Sequence, residues 1–186
     1  MSPLRGPEAR AHLEMLRRSF HTPEGPTFDP VGLVRPYRDP LDQEVAGLLA
    51  ALLAYGRVAA IRDAVGRVLG WLGESPSAAL RAGRHRSPKF AAGFQYRWTS
   101  RTDLLGLLES MAWMQAGERS LGAGLRARTQ AAGSLPAGLV RWARDLRDVA
   151  ESRSGPGRGL RFLLPDPAGT GAAKRLHLYL RWMIRP

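Results

Sequence analysis

The stretch DPLDQEVAGLLAALLAYG, from Asp39 to Gly56, combines a helix start, a long apolar run and a helix stop. Asp39 is a preferred N-cap residue, and Pro40 suits the first helical position. Gly56 is the residue type that most often ends a helix. The apolar run from Val45 to Tyr55 is too short to cross a bilayer. We therefore predict a helix here, in a soluble protein without a membrane span.

The same punctuation recurs along the chain and predicts further helices. Ser-Pro pairs open two more candidate helices, at Ser75 and Ser87. The segments TDLLGLLESMAWMQAG and LPAGLVRWARDLRDVAES carry apolar residues at helical spacing, whereas no window alternates as a strand does. We predict an all-α, multi-helix single domain over residues 1–186, with about eight short helices. Residues 20–36 and 152–159 are expected to be loose loops because they are rich in proline, glycine or serine.

The composition indicates a globular protein with a polyanionic partner. Hydrophobic residues make up 44% and charged residues 24% of the sequence, which is a globular balance. The formal net charge of +12 favours nucleic acid as the partner. An arginine-rich composition inherited from a GC-rich genome is the alternative origin of that charge.

Several classes of site are not expected. The sequence has no cysteine, which excludes disulfides and thiolate metal sites. Its four histidines have no second histidine at helical spacing, so we expect neither a metal nor a cofactor. The N-terminal segment has no apolar core of the kind that signal peptides carry, so a cytoplasmic location is expected.

The last predicted helix, GAAKRLHLYLRWMIR, separates apolar from basic residues on a helical wheel. Lys174, Arg181 and Arg185 share a narrow stripe, with Arg175 beside it. The glycine-containing segment PDPAGTG precedes the helix, and helix N-termini bind anions. The sequence thus predicts a phosphate cradle followed by a row of cations. The residues expected to face the core are Ala172, Leu176, Tyr179, Leu180, Met183 and Ile184.

Lys174 is the residue of this helix that has nucleophilic chemistry. It is one of two lysines beside twenty-six arginines. Unlike a guanidinium, an amine can lose its proton and attack an electrophilic carbon to form a Schiff base. An ordinary solvated lysine on a basic face is the alternative interpretation.

Three stretches carry a resemblance to known proteins: DQEVAGLLAALLAYGRV (42–58), FQYRW (94–98) and LPDPAGTGAAKRLHLYLRWMIR (164–185). They resemble a family of uncharacterised bacterial proteins that is grouped as a domain of unknown function, over most of residues 29–185. That family is similar, more distantly, to the helix-hairpin-helix DNA glycosylases of base-excision repair. The resemblance implies a helix-hairpin-helix glycosylase-like fold and DNA as partner. It also implies glycosylase or AP lyase chemistry through a lysine Schiff base.

Carried onto this sequence, the resemblance makes Lys174 the catalytic nucleophile and the LLPDPAGTG turn a phosphate site. It also places Tyr55 and Arg57 near a loop that enters the DNA minor groove. Trp98, Trp113 or Trp182 is a candidate to stack on an extruded base, although tryptophans usually pack in a core. The implied DNA-binding residues are Gly169, Thr170, Gly171, Arg175, Arg181, Arg185, Tyr55 and Arg57.

The sequence departs from the family pattern at its end. That pattern continues past RWMIR with an aspartate and a nearby histidine, and the aspartate supports base departure. This sequence stops at Pro186, so we expect a truncated chain whose catalytic competence is open. A non-catalytic nucleic-acid-binding or interaction helical module is the alternative function. Salt-sensitive binding without a lysine-dependent adduct would favour that alternative.

Overall fold

The computed structural model describes residues 6–20, 29–169 and 171–184. Within these ranges the chain is mostly helical, which confirms the all-α class. Two short 3₁₀ helices cover Pro30–Leu33 and Arg84–Arg86, and one antiparallel hairpin joins β1 (Gln95–Tyr96) to β2 (Thr99–Ser100). The α-helices are α1 (Gly6–Phe20), α2 (Pro40–Leu52), α3 (Val58–Leu72), α4 (Pro76–Arg81), α5 (Arg101–Glu118), α6 (Leu121–Ala132), α7 (Leu135–Ser154), α8 (Arg158–Leu163) and α9 (Lys174–Ile184).

Helices α2 and α5 form the centre of the core. Every residue from Val45 to Leu53 is buried, so α2 is enclosed on all sides. The middle of α5 is buried in the same way, and it packs against α4, α6, α7 and α8. A helix that is apolar around its whole circumference is a core helix, which explains why this apolar run needs no membrane. No helix in the described ranges is both long and apolar enough to span a bilayer.

The helix starts follow the capping rules that the sequence displays. The Asp39 side chain accepts a hydrogen bond from the Leu41 amide at 2.9 Å, as predicted for the start of α2. Ser75 caps α4 in the same way. At α5, Ser100 and Asp103 form a reciprocal capping box. Helix α2 ends at Leu52, earlier than its glycine stop signal predicts, and Gly56 follows with a φ of +107°.

Two acids near the start of α2 connect it to other helices. Asp42 accepts from the Ser75 hydroxyl at 2.9 Å and from the Ser77 amide at 2.8 Å, at the start of α4. Glu44 accepts from the Gly122 amide at 3.1 Å, at the start of α6. Both carboxylates therefore occupy the positive ends of neighbouring helices, where anions are stabilising. The order of helices around α2 is fixed partly by these two contacts.

Helix α9 lies across α2 and is held by its apolar side. Leu176 and Tyr179 are buried, and the Tyr179 ring stacks parallel to the Trp142 ring of α7 with centroids 5.9 Å apart. Gly47 of α2 leaves room for the Tyr179 and Met183 side chains. Two residues that were predicted to face the core, one at each end of the segment, do not: Ala172 is exposed and Ile184 is 76% exposed.

Three details differ from the sequence-based prediction. The hairpin is a strand pair that the sequence did not signal, since each strand has two residues and shows no periodicity. Ser87 starts no helix, because a series of turns follows it. The predicted loops are shorter than expected: residues 30–33 are helical, α7 continues to Ser154, and α8 begins at Arg158. Residues 21–28 lie outside the described ranges.

Candidate nucleic-acid interface

One face of α9 borders an open surface depression of about 320 Å³. Lys174, His177, Leu178 and Arg181 line it together with Ala172. The four helical residues follow the i, i+3, i+4, i+7 spacing of a single helix face. The structure therefore brings Lys174 and Arg181 together, as the helical wheel predicted. We call this surface the α9 depression.

The charge around the α9 depression is positive. Lys174 and Arg181 are exposed, and the sequence contains no acid after Asp166. The pKa of Asp166 is lowered by a hydrogen bond from the Ala168 amide and by Arg144, which donates to its carboxylate at 2.9 Å. That carboxylate is therefore occupied within the turn. The positive end of the α9 dipole adds to the field of the two cations.

His177 is a member of the α9 depression that the sequence analysis did not select. Its Nδ1 lies 3.2 Å from the carbonyl oxygen of Ala173, which only accepts hydrogen bonds. The Nδ1 atom therefore carries the proton of the neutral ring, and Nε2 is left as an acceptor. Its position three residues after Lys174 and four before Arg181 was the signal available in the sequence.

Arg175 points away from the α9 depression into the protein. Its guanidinium donates to the carbonyl oxygen of Leu52 at 2.8 Å and to that of Phe162. It also lies 5.3 Å from the Tyr55 ring centroid and 4.3 Å from that of Phe162. Burial lowers the pKa of Arg175. The structure thus directs Arg175 into the protein, where its Nη1 and Nη2 donate to backbone carbonyls, and the phosphate contact expected for it stays a prediction.

The turn before α9 offers less than the predicted phosphate cradle. The Gly169 amide donates to the carbonyl oxygen of Asp166 at 3.0 Å, so it is already used within the turn. Gly171 is exposed and has open space around it. Thr170 and Arg185 lie outside the described residues. Their implied DNA contacts stay predictions.

Tyr55 joins an aromatic group that the sequence did not indicate. This group, the hairpin cluster, consists of Tyr55, Tyr96, Trp98 and Phe162. The Tyr55 hydroxyl lies 2.6 Å from the Thr99 hydroxyl and donates to the Tyr96 carbonyl at 3.1 Å. Burial raises the pKa of Tyr55. Tyr55 therefore supports the hairpin, whereas the nearby Arg57 is exposed at the start of α3.

A buried polar cluster lies elsewhere, between the second 3₁₀ helix and α5. Glu109 accepts two hydrogen bonds from Arg86, at 2.8 and 3.0 Å, and lies 2.8 Å from His85 Nε2. Chiefly because of Arg86, the pKa of Glu109 falls to about 2. Burial lowers the pKa of His85, although its contact with Glu109 opposes this. This cluster joins elements of the fold and has no part in the α9 depression.

The described residues contain no group of three or more acidic or histidine side chains placed to hold a metal ion. No curated protein and no solved structure matches the chain. A family described as "Protein of unknown function (DUF2400)" matches residues 29–186, which is most of the chain. The match includes the α9 depression and the hairpin cluster, and it excludes α1. The chain therefore belongs to the DUF2400 family.

Proposed function

We propose that this protein binds the phosphate backbone of DNA through the α9 depression. The observation that carries the proposal is that Lys174, at the start of α9, and Arg181, in its last turn, line one concave surface. A DNA backbone that follows this surface meets Lys174 beside the positive end of the α9 dipole and Arg181 two turns further along the helix. Ala172 and Leu178 add apolar surface on which the sugar can pack. The net charge of +12 adds a long-range attraction.

Binding of this kind is independent of base sequence. Lysine and arginine side chains that neutralise phosphates release counterions, so affinity falls as salt is added. Phosphate contacts fix register and orientation but carry no sequence information. We therefore expect similar affinities for duplexes of different sequence.

The binding test uses fluorescence anisotropy with a labelled duplex of about 25 base pairs, between about 50 and 200 mM salt. We expect Lys174→Ala and Arg181→Ala each to weaken binding and to reduce the slope of log affinity against log salt by about one. Lys89→Ala is the charge-matched control, because Lys89 is exposed and distant in sequence from α9. If Lys89→Ala lowers the affinity as much as Lys174→Ala, the binding comes from diffuse charge and not from the α9 depression.

A second candidate function is AP lyase activity, and the observation that favours it is the placement of Lys174 beside His177. In the proposed step the neutral Lys174 amine attacks C1′ of an abasic deoxyribose. The C1′–Nζ bond forms, water leaves, and an imine remains. The Nε2 atom of His177 is an acceptor on the same surface and can take the proton that Lys174 must lose. The sequence resemblance to helix-hairpin-helix glycosylases supports a base-excision setting for this chemistry.

The lyase test is borohydride trapping on DNA that contains an abasic site, because hydride reduces the imine to a stable amine. We expect a covalent adduct with the unmodified protein and none with Lys174→Gln. His177→Ala should slow adduct formation about 100-fold. Salt-sensitive binding with no adduct would leave the non-catalytic DNA-binding function. An equal yield from Lys174→Gln would show that another amine reacts.

A further inference from the structure

Trp98 is an exposed aromatic residue whose ring packs against other rings of the hairpin cluster. It lies at the turn of the β1–β2 hairpin and is 63% exposed. A single exposed apolar side chain is common, so exposure alone indicates nothing. What distinguishes Trp98 is that its neighbours hold it in place. Its ring lies 5.5 Å from the Phe162 ring and 6.4 Å from the Tyr55 ring, to which it is nearly parallel.

Both strands of the hairpin that carries Trp98 form hydrogen bonds with Tyr55, which follows α2 in the chain. The Tyr96 hydroxyl donates to the Tyr55 carbonyl, and the Tyr55 hydroxyl donates back to the Tyr96 carbonyl. Thr99, on the second strand, meets the Tyr55 hydroxyl at 2.6 Å. Helix α8 approaches closely as well, because a Cβ at Gly159 would lie 2.5 Å from the Trp98 carbonyl oxygen. The tryptophan is therefore presented on a fixed backbone, which lowers the entropy lost when a ligand binds.

The surroundings of Trp98 carry positive charge suited to a nucleotide. The Arg97 guanidinium lies 5.1 Å from the Trp98 ring centroid, and Arg97 is itself exposed. Arg57 is exposed nearby: it follows Gly56, where an added Cβ would lie 3.2 Å from Arg97 Nη1. A base can replace the Arg97 guanidinium on the ring, which frees that guanidinium to contact the adjoining phosphate.

The hairpin cluster is also linked to the α9 depression. Arg175 contacts two rings of the cluster, Tyr55 and Phe162. The preceding residue, Lys174, lines the α9 depression. The start of α9 therefore lies between a surface for phosphates and a surface for a base.

We propose that Trp98 is a stacking platform for an unpaired nucleobase, with Arg97 and Arg57 contacting the flanking phosphates. This inference rests on the proposed DNA binding and adds a base contact to it. Stacking on an aromatic ring needs a free base face, which a single strand or an extrahelical base offers and an intact duplex does not. On this proposal, the preference for DNA with unpaired bases comes from Trp98 in the hairpin cluster, which is separate from the α9 depression.

The test compares three labelled DNAs of equal length: a single strand, a perfect duplex and a duplex with one unpaired 2-aminopurine. We expect Trp98→Leu to weaken binding to DNA with unpaired bases about tenfold, while affinity for the perfect duplex stays within about twofold. If Trp98→Leu loses affinity for the single strand alone, the ligand is a continuous single strand. If it also loses affinity for the duplex with the unpaired 2-aminopurine, the site accepts an extrahelical base. Trp98→Phe should restore most of the affinity, because it keeps an aromatic face.

Two controls make the outcome specific. Trp113 was also a stacking candidate from the sequence and is 43% exposed on α5, but among the described residues it lacks the ring contacts that support Trp98. Trp113→Leu should leave all three affinities unchanged. The unmodified protein should quench the 2-aminopurine fluorescence, and Trp98→Leu should not. Equal losses on all three DNAs, or none, overturn the stacking role while leaving DNA binding in place. Failure of the unmodified protein to bind any of the DNAs overturns both proposals. Trp98-dependent binding to anionic phosphatidylglycerol vesicles without base-dependent binding would assign this surface to membranes instead.

Discussion

Lys174 and Arg175 are neighbours in the chain, but they have opposite surroundings at the start of α9. Lys174 is exposed on the α9 depression, whereas Arg175 reaches inward to the carbonyl oxygens of Leu52 and Phe162. The planar guanidinium can serve both carbonyls and both rings at once, which an ammonium group cannot. Of these two cations, only Lys174 has its charge available to an external anion.

We expect Arg175→Met to lower the free energy of unfolding by about 2 kcal/mol, because two inward-facing carbonyls lose a charged donor. Arg175→Lys should recover little of this loss, since lysine lacks the fork geometry. Urea denaturation measures the change. Arg181→Met, on the exposed side of the same helix, is the matched control and should change stability by less than about 0.5 kcal/mol. A larger stability loss for Arg181→Met than for Arg175→Met would contradict the assignment.

The helical wheel of α9 predicted part of this site because residues seven apart share a helix face. It correctly paired Lys174 with Arg181, and the same spacing would have added His177. It could not predict the role of Arg175, because a wheel gives an angle and not the backbone that the side chain meets. The Leu52 carbonyl that receives Arg175 is 123 residues away in the sequence. Contacts of this kind arise from tertiary packing and leave no local pattern.

At the scale of elements, caps and apolar periodicity predicted most helices, and tertiary contacts explain what they missed. Asp39 caps α2 as its sequence position predicts. Asp42 lies in the first turn of α2 and Glu44 shortly after it, and each reaches the start of another helix. The hairpin depends on Tyr55 and Tyr96 bonding each other's carbonyls, so its two-residue strands have no signal of their own. Trp98 was a stacking candidate from the sequence, but the hairpin that presents it was not predictable.

The packing of α6 against α7 depends on a glycine at the crossing. A Cβ at Gly138 would lie 2.5 Å from the Thr129 Cα and 2.7 Å from its amide nitrogen. Because these are backbone atoms, the two helices must separate to admit a methyl group. We expect Gly138→Ala to lower the free energy of unfolding by about 2 kcal/mol or more.

Gly66→Ala is the matched control for that measurement. Gly66 lies within α3, and an added Cβ there would meet no atom within 4 Å. Alanine is a better helix former than glycine, so this variant should gain about 0.5 kcal/mol or more. The urea denaturation midpoints of Gly138→Ala and Gly66→Ala, each compared with the unmodified protein, measure the two stability changes. A gain in stability for Gly138→Ala would show that the two helices do not cross at this glycine.

At the scale of the whole molecule, several acids are bound within the fold while many arginines face solvent. Asp42, Glu44 and Asp103 accept hydrogen bonds at helix starts, and Asp166 is paired with Arg144. The net charge of +12 already includes these carboxylates, and their negative charges are directed to helix starts and to Arg144. This distribution makes the field around the protein positive, and it also makes stability depend on carboxylates that stay ionised.

Glu109 is an acid that joins three elements of the fold. It lies on α5, accepts from Arg86, contacts His85, and has Arg153 of α7 at 3.8 Å. Its pKa falls from an ordinary 4.5 to about 2, so its contribution is complete above about pH 5 and is lost as the pH falls toward 2. The lowered pKa of His85 acts in the same direction from about pH 6.5 downward, because the unfolded chain then binds the proton more readily.

We therefore expect acidification to destabilise the unmodified protein more than Glu109→Gln. The ionised Glu109 contributes on the order of 3 kcal/mol at pH 7, of which about 2 kcal/mol is lost by pH 3. Urea denaturation at pH 7, 5 and 3 should show Glu109→Gln less stable at pH 7 and approaching the unmodified protein at pH 3. Glu74→Gln, which removes an exposed carboxylate, is the control for the loss of one negative charge. Parallel profiles for Glu109→Gln and the unmodified protein would show that Arg86 and His85 do not hold this carboxylate ionised.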